Sequence, residues 1–254
     1  MTTVHPYTVL ASVYDAVMAH VDYEGWADYL LHVTDDVLDM PEAPTRVLEL
    51  GAGTGLLTEA LLAASDWHIT VSDRSEDMLS AAQARLAGFT ERTAIDPIDF
   101  SGPWKAMGAP FDLQLLLYDG FNYLLHPEQV GHLFEGVRTA GKPGSLFLFD
   151  QSTPHNSINN ADFFEDEGKA GAFSYHRSSL FDVEQGMHTT TFEIKGPEGG
   201  FTEVHRQRAW TLDQVSALLA RHALEVVEAF DGFSLDPAHE ESERIHWVVR
   251  ILDA

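Results

Sequence analysis

Residues 47–57 read VLELGAGTGLL. This is an apolar run that carries one glutamate, Glu49, and ends in three glycines at alternate positions, Gly51, Gly53 and Gly55. A glycine-rich turn between a strand and a helix usually cradles a phosphate, because backbone N–H groups and the helix N-terminus favour an anion. Glu49 argues otherwise, since a carboxylate two residues before the first glycine repels a pyrophosphate. The dinucleotide fingerprint GxGxxG is also unmet: the spacing is GxGxG and Leu56 stands in the last place. Asp73 ends the next predicted strand, at the distance where an acidic residue takes ribose hydroxyls, so a nucleoside is still expected. A nucleoside with ammonium and sulfonium charges in place of phosphates suits both acids, and S-adenosylmethionine is such a ligand. The glycines would then allow close backbone approach to its methionyl part. Taken alone, they would signify a tight turn and nothing more. A nicotinamide oxidoreductase is the remote alternative.

Methyl transfer from a sulfonium needs little from a protein beyond alignment in a dry site, which can supply about 7–11 kcal/mol. A general base adds about 10²- to 10⁴-fold where an amine or hydroxyl must lose a proton. Tyr14, Asp15, Asp119, His126 and His205 are the candidates, with Tyr14 and Asp119 preferred. Asp15 could instead cap or bond backbone, and His126, just before Pro127, could simply open a helix. In TEVHRQRAW (202–210), strand alternation puts His205 and Gln207 on one face and Arg206 and Arg208 on the other. Arg208 could hold a carboxylate or phosphate of an acceptor, and His205 could meet the acceptor directly; an exposed charged strand is the plainer reading. The chain has thirteen histidines but no HxxxH or HExxH pair, so the expected chemistry is metal-independent. Trp67, Trp104 and Phe134 need no role beyond core packing.

There is no cysteine, which excludes disulfides, thiolate metal sites and cysteine nucleophiles. Forty acidic residues face fifteen Lys and Arg, of which only four are lysines, for a net charge of −25. That surface repels nucleic-acid phosphates and offers no basic stripe to offset the repulsion. It suits a high-salt cytoplasm, where charge repulsion is screened, or an ordinary acidic protein. No window approaches the roughly 18 unbroken apolar residues of a membrane span, and no export signal opens the chain, so a soluble cytoplasmic protein is expected. Oligomeric state is left open.

Around these residues the apolar periodicity lays out a series of elements. Two aromatic-rich helices are predicted at 6–19 and 22–39, the second stopped by Pro41 and Pro44. Strands at 46–50, 68–72, 91–95, 111–117 and 145–150 alternate with helices at 55–64, 75–87 and 127–140. SEDM (75–78) reads as a helix N-cap and GKPG (141–144) as a stop. Such alternation predicts a parallel sheet with helices on both faces. Residues 151–170 read as a loop with a short helix, and 172–210 as three strands in a meander. A helix at 211–222 and strands at 224–230 and 244–251 follow.

VLELGAGTGLLTEAL, VSDRSEDMLSAAQARL, AIDPIDF, FDLQLLLYDGFNYLL and GKPGSLFLFD resemble the successive motifs of class I S-adenosylmethionine-dependent methyltransferases. YTVLASVYDAVMAHVDYEGWADYL and EVHRQRAWTLDQVSALL are closer still to a bacterial small-molecule subgroup similar to the amino-sugar N-methyltransferases. The resemblance covers nearly the whole chain. It implies a doubly wound α/β, Rossmann-like fold with a seven-stranded, mostly parallel sheet and an antiparallel edge strand. The parts would be an N-terminal helical lid (1–44), a cofactor-binding core (45–150), an antiparallel β insertion on the acceptor side (151–210) and the end of the core (211–254). Glu49, Gly51, Ala52, Gly53 and Gly55 would line the methionyl side. Asp73 would hold the ribose, with Arg74 and Met78 against the adenine. Asp96 would meet the adenine amino group, flanked by Ile95 or Pro97. Leu117, Tyr118 and Asp119 would sit beside the sulfonium; the family often has small residues before that aspartate, and Tyr118 departs from the pattern. Tyr7, Tyr14 and Trp26 would belong to the lid, and Asn122, Tyr123, His205 and Arg208 to the acceptor side. The implied activity is methylation of a small molecule at nitrogen or oxygen. The rivals are an RNA or protein methyltransferase and a silent module that senses S-adenosylmethionine or S-adenosylhomocysteine.

Overall fold

The computed structural model describes residues 1–34, 45–161 and 165–253. Strand β1 (Thr2–Val4), a 3-10 turn (Leu10–Ser12) and helices α1 (Tyr14–Val17) and α2 (Tyr23–His32) come first. Then follow β2 (Arg46–Leu50), α3 (Leu56–Ala64), β3 (His68–Ser72), α4 (Glu76–Arg85), β4 (Thr93–Ile95), β5 (Leu113–Leu116), α5 (Pro127–Ala140) and β6 (Leu146–Ser152). The chain continues through α6 (Pro154–Asn159), β7 (Glu165–Ala170), β8 (Phe173–Asp182), β9 (Met187–Gly196) and β10 (Gly199–Arg208). Helix α7 (Leu212–Leu219), β11 (Leu224–Asp231) and β12 (Arg244–Ile251) complete it.

The main sheet has seven strands in the order β11-β12-β6-β5-β2-β3-β4. Only β12 runs against its neighbours, and it stands next to the edge, because β11 doubles back on it to form the edge itself. The central strands are buried on both faces, as a parallel sheet between helix layers requires. Their period of two divides the core. Leu48, Leu50, Phe147 and Phe149 pack with α5 and α7. Val47, Leu146 and Leu148 pack with Trp26 and Leu30 of α2 and with Leu57 and Leu61 of α3. Ser75 caps α4 by accepting from the Met78 N–H, and α5 ends at Ala140, before Gly141.

The second sheet, in the order β1-β10-β9-β8-β7, carries the meander. Its outer strands were not expected. β1 pairs parallel with β10, so the N-terminus and the insertion share one sheet. β7 lies in the stretch expected as loop; its Glu165-Asp166-Glu167 run suits an exposed edge, where charge discourages further pairing. The expected helix over 6–19 is helical only at 10–12 and 14–17. Tyr7 sits at φ 65°, and the N–H groups of Tyr7, Val9 and Leu10 turn to the Glu203 carboxylate instead of a helical ladder. Leu10, Val13, Val17 and Met18 pack this segment onto Phe192 and Ile194. Residues 35–39 of the expected second helix, with Pro41 and Pro44, lie outside the described residues. No helix among the described residues is long and apolar enough to cross a membrane.

Candidate active site

After β2 and β3 the chain builds outward in order β4; after β5 it builds the other way. Ligands of open α/β sheets gather at such a reversal, beyond the carboxyl ends of the strands. A cavity of about 1100 Å³ opens there, lined by the turns after β2, β3, β4 and β5 and roofed by the N-terminal segment. Gly53 (φ 58°) is left-handed, and a Cβ there would point at the Tyr14 ring, 3.7 Å away. Gly55 (φ 78°) starts α3, and its Cβ would press on Ala82 at 3.2 Å. Gly55 therefore serves helix packing and does not line the cavity.

Two buried carboxylates, Glu49 and Asp73, face this space, and the exposed Asp99 also lines it. Asp73 is buried; its Oδ2 accepts from the Gly53 N–H at 3.0 Å and its Oδ1 from the Ser75 N–H at 2.8 Å. Burial raises its pKa, with the Ser75 and Gly53 bonds opposing. Glu49 is 3% exposed and accepts from Thr58 Oγ1 at 2.6 Å. Burial pushes it up to about 7, against the Thr58 hydrogen bond and with added repulsion from Asp73. Among the described residues no cationic side chain pairs with Glu49. A buried acid without a cation fits a ligand that brings one.

Of the residues expected around a cofactor, Tyr7, Tyr14, Trp26, Glu49, Gly51 and Ala52 line the cavity. So do Gly53, Asp73, Arg74, Met78, Leu117 and Tyr118. Ile95 and Asp96 do not. Asp96 is buried, and one of its oxygens accepts from the Met107 N–H at 2.6 Å. Pro97 lies in a shallow outer groove with His5 and Thr8. The wall is formed instead by Asp99, Phe100 and Ser101. Asp99 and Phe100 stood inside the quoted AIDPIDF motif, and the chain beyond β4 carries them back over the cavity.

A second cavity, about 1370 Å³, lies between the core and the five-stranded sheet. Tyr7, Tyr14, Tyr118 and Tyr123 line both spaces and form the partition between them. Ser179, Thr190 and Gln207 project from the sheet, Asn156 from α6 and Asn160 from just after it, and Arg177 and His188 add charge and a ring. Asp119, Asn122 and His205 reach this cavity, and all three are engaged, His205 between Tyr123 and Glu203. Asp119 pairs with Arg244 at 2.9 Å, and Arg244 also bonds the fully buried Asp150. Asn122 is 2% exposed; its amide donates to the Ser152 and Arg208 carbonyls and its oxygen accepts from the Ser152 N–H. Arg208 points away. Alternation puts it on the face opposite His205, where it donates to the Leu125 carbonyl and stacks 4.1 Å over Trp210.

Tyr118 (φ 59°) and Asp119 (φ 64°) are consecutive non-glycine residues in the left-handed region, a costly conformation typical of functional turns. It swings the Tyr118 ring into the partition, where a small residue would leave a gap. Burial raises Tyr14 well above the ordinary phenol value, so it stands protonated at neutral pH as a donor and not as the expected base. Asp15 accepts from Thr54 and pairs with Arg85, and His126 precedes α5, with its N–H held by Gln129. Sequence reasoning also missed Glu203, which is 0% exposed.

Residues 47–144 match the family described as Methyltransferase domain. A Geobacillus sp. (strain WCH70) protein with a provisional methyltransferase name is 27% identical over 96% of this chain and 99% of its own length. The fold is that of an S-adenosylmethionine-dependent methyltransferase from Clostridium acetobutylicum: TM-score 0.77, 22% identity, 97% of this chain and 99% of that one. It is also that of the sugar N-methyltransferase KedS8 from Streptoalloteichus: TM-score 0.68, 17% identity, 93% and 92%.

Proposed function

We propose that this chain, an S-adenosylmethionine-dependent methyltransferase, methylates a nitrogen or oxygen nucleophile on a small polar molecule, with amino sugars as the best-fitting class. The observation that carries the reading is the second cavity. It meets the first at a wall of four tyrosines and is surrounded by hydroxyl and amide groups, such as Ser179, Thr190, Asn156 and Gln207, which match a polyhydroxylated acceptor. The net charge of −25 works against a nucleic-acid substrate. The solved sugar N-methyltransferase with the same fold adds weight.

The cofactor supplies a methyl group already activated on sulfonium. In this reading Glu49 faces its ammonium, Asp73 takes ribose hydroxyls, and Phe100 and Met78 flank the base. Tyr14 and Tyr118 bound the sulfonium side and keep water out, while Tyr14 donates a hydrogen bond that fixes the nucleophile. Asp119, held by Arg244, shapes the turn that carries Tyr118 and takes no proton. The test is transfer of labelled methyl from S-adenosylmethionine to a panel of 2-amino- and 3-amino-hexoses, their hydroxyl counterparts, total RNA and denatured protein. Label on an amino hexose is expected. Label on RNA or protein alone overturns the reading.

A further inference from the structure

The partition between the cavities continues inward as an unbroken line of polar contacts. Tyr7 Oη lies 2.6 Å from Tyr123 Oη, and Tyr123 Oη lies 2.9 Å from His205 Nδ1. His205 Nε2 lies 3.2 Å from Glu203 Oε2. The carboxylate also accepts from the N–H groups of Tyr7, Val9 and Leu10 at 2.7, 2.6 and 2.9 Å. Three separate parts of the chain supply this line: the N-terminal segment, the turn after β5, and β10, where Glu203 and His205 share the buried face.

We propose that Tyr7, Tyr123, His205 and Glu203 form a proton relay that removes the proton displaced from the acceptor during methyl transfer. Tyr7 is the catalytic residue that takes this proton, Tyr123 and His205 pass it inward, and Glu203 is a positioning residue. The inference rests on the reading of the acceptor as an N–H or O–H nucleophile.

One fixed end determines every donor. Three backbone N–H groups make Glu203 an acceptor, so His205 Nε2 carries the hydrogen that faces it. Nδ1 is then a lone pair, Tyr123 donates to it, and the Tyr123 oxygen accepts from Tyr7. The Tyr7 oxygen is left with free lone pairs, and Tyr7 lines both cavities. As the acceptor atom gains the methyl, the sulfur–carbon pair stays on sulfur. The acceptor's proton moves to the Tyr7 oxygen, that of Tyr7 to Tyr123, and that of Tyr123 to His205 Nδ1. The end state is an imidazolium beside a carboxylate, with both phenols neutral.

Neither tyrosine could hold the charge alone, since burial raises both above the ordinary phenol value. Burial pushes Glu203 up, but the His205 bond and the Leu10, Val9 and Tyr7 N–H groups outweigh it and leave the carboxyl below its ordinary value. The rings of Tyr7, Phe192 and Tyr123 pack around the imidazole at 4.8, 5.3 and 6.1 Å between centroids. Arg74 and Asp73 act on Tyr7 from the cofactor side, and Asp119 and Tyr14 act on Tyr123. A purely structural role for Glu203 would account for the three N–H bonds but not for the aligned His205, Tyr123 and Tyr7.

The test is nitrogen-15 NMR of the histidine rings in the full chain with S-adenosylhomocysteine bound, the His205 signals being assigned by their loss in His205→Gln. A neutral ring with hydrogen on Nε2 is expected at pH 7.5. Tyr123→Phe should move Nδ1 to the position of a free acceptor, and Glu203→Gln should move the Nε2–H signal away from the position of an N–H facing a carboxylate. Hydrogen on Nδ1, or an unmoved Nε2–H signal in Glu203→Gln, overturns the relay. Where Glu203→Gln fails to fold, the wild-type tautomer and Tyr123→Phe decide. With a 3-amino-hexose as probe, Tyr7→Phe should slow transfer about 100-fold at pH 7. The deficit should persist towards pH 9, since a neutral amine must still shed a proton as it gains the methyl. An equal rate for Tyr7→Phe from pH 6 to 9 also overturns the relay. No transfer to any amino sugar by the wild type would count against the acceptor reading and leave the tautomer result to judge the relay.

Discussion

The sharpest quantitative consequence of the cofactor cavity is that Glu49 should release a proton when the positively charged cofactor binds. Its carboxyl titrates at about 7 where 4.5 is ordinary, chiefly because it is buried. At about 1.36 kcal/mol per pH unit, the ionised group costs the empty protein about 3 kcal/mol once the pH exceeds 7. The sign follows from a raised carboxyl pKa: there is no cost below pH 4.5, a cost that grows from 4.5 to 7, and a constant cost above. A ligand cation beside Glu49 favours the ionised form, so the site must lose its proton to bind. At pH 6 the empty site is about nine-tenths protonated, and the Kd for S-adenosylmethionine should fall nearly tenfold from pH 5 to pH 6 and level off above 7. Calorimetry at pH 6 in buffers of different ionisation enthalpy should show close to one proton released per cofactor bound. Glu49→Gln should abolish most of that release and be more stable than the wild type above pH 7 without ligand. The same proton release in Glu49→Gln, or a Kd flat in pH, would refute the placement of this acid against a cation.

Asp73→Asn keeps the shape of the side chain but loses its charge, and should weaken S-adenosylhomocysteine binding by about 1.5–3 kcal/mol, or about 10- to 100-fold, by calorimetry; an unchanged Kd removes Asp73 from the ribose site. Arg244→Met strands Asp150, which is fully buried, and Asp119. It should cost about 3 kcal/mol at pH 7 in urea melts; an unchanged stability would remove Arg244 as the partner that compensates Asp150. The 40 acidic residues predict a melting temperature that rises from 0.1 to 1 M salt, as the screening length drops from about 10 to about 3 Å; a fall would reject the high-salt adaptation.

The parallel core was legible because its signals are local. The short apolar runs of RVLEL and SLFLFD, a serine before α4 and a glycine after α5 each act within a few residues. The N-terminal segment was not legible. Its apolar spacing is helical, but Glu203, almost two hundred residues away, takes three of its N–H groups and breaks the helix. A contact at that separation leaves no periodic trace. β7 was hidden for the opposite reason: its half-buried positions are Asp166, Gly168 and Ala170, none of them a large apolar residue, and such a run reads as loop whether or not the backbone is paired.

The same distinction divides the site. Glu49 and Asp73 announced themselves through charge at fixed offsets from a glycine turn, because a short strand–turn–helix unit sets their position. Asp96 and Arg208 had suitable charge, yet each found a nearer protein partner, the Met107 N–H and the Leu125 carbonyl. The tyrosines illustrate the converse. Tyr7, Tyr14, Tyr118 and Tyr123 have no shared spacing, and in sequence each could be a core residue. Together they make the wall common to the cavity at the sheet's reversal and the cavity beside the second sheet. Two of them are held by left-handed backbone, Tyr7 at 65° and Tyr118 at 59°. A fold keeps such strain where a side chain must point in one direction, and here both rings point at the boundary a methyl group would cross.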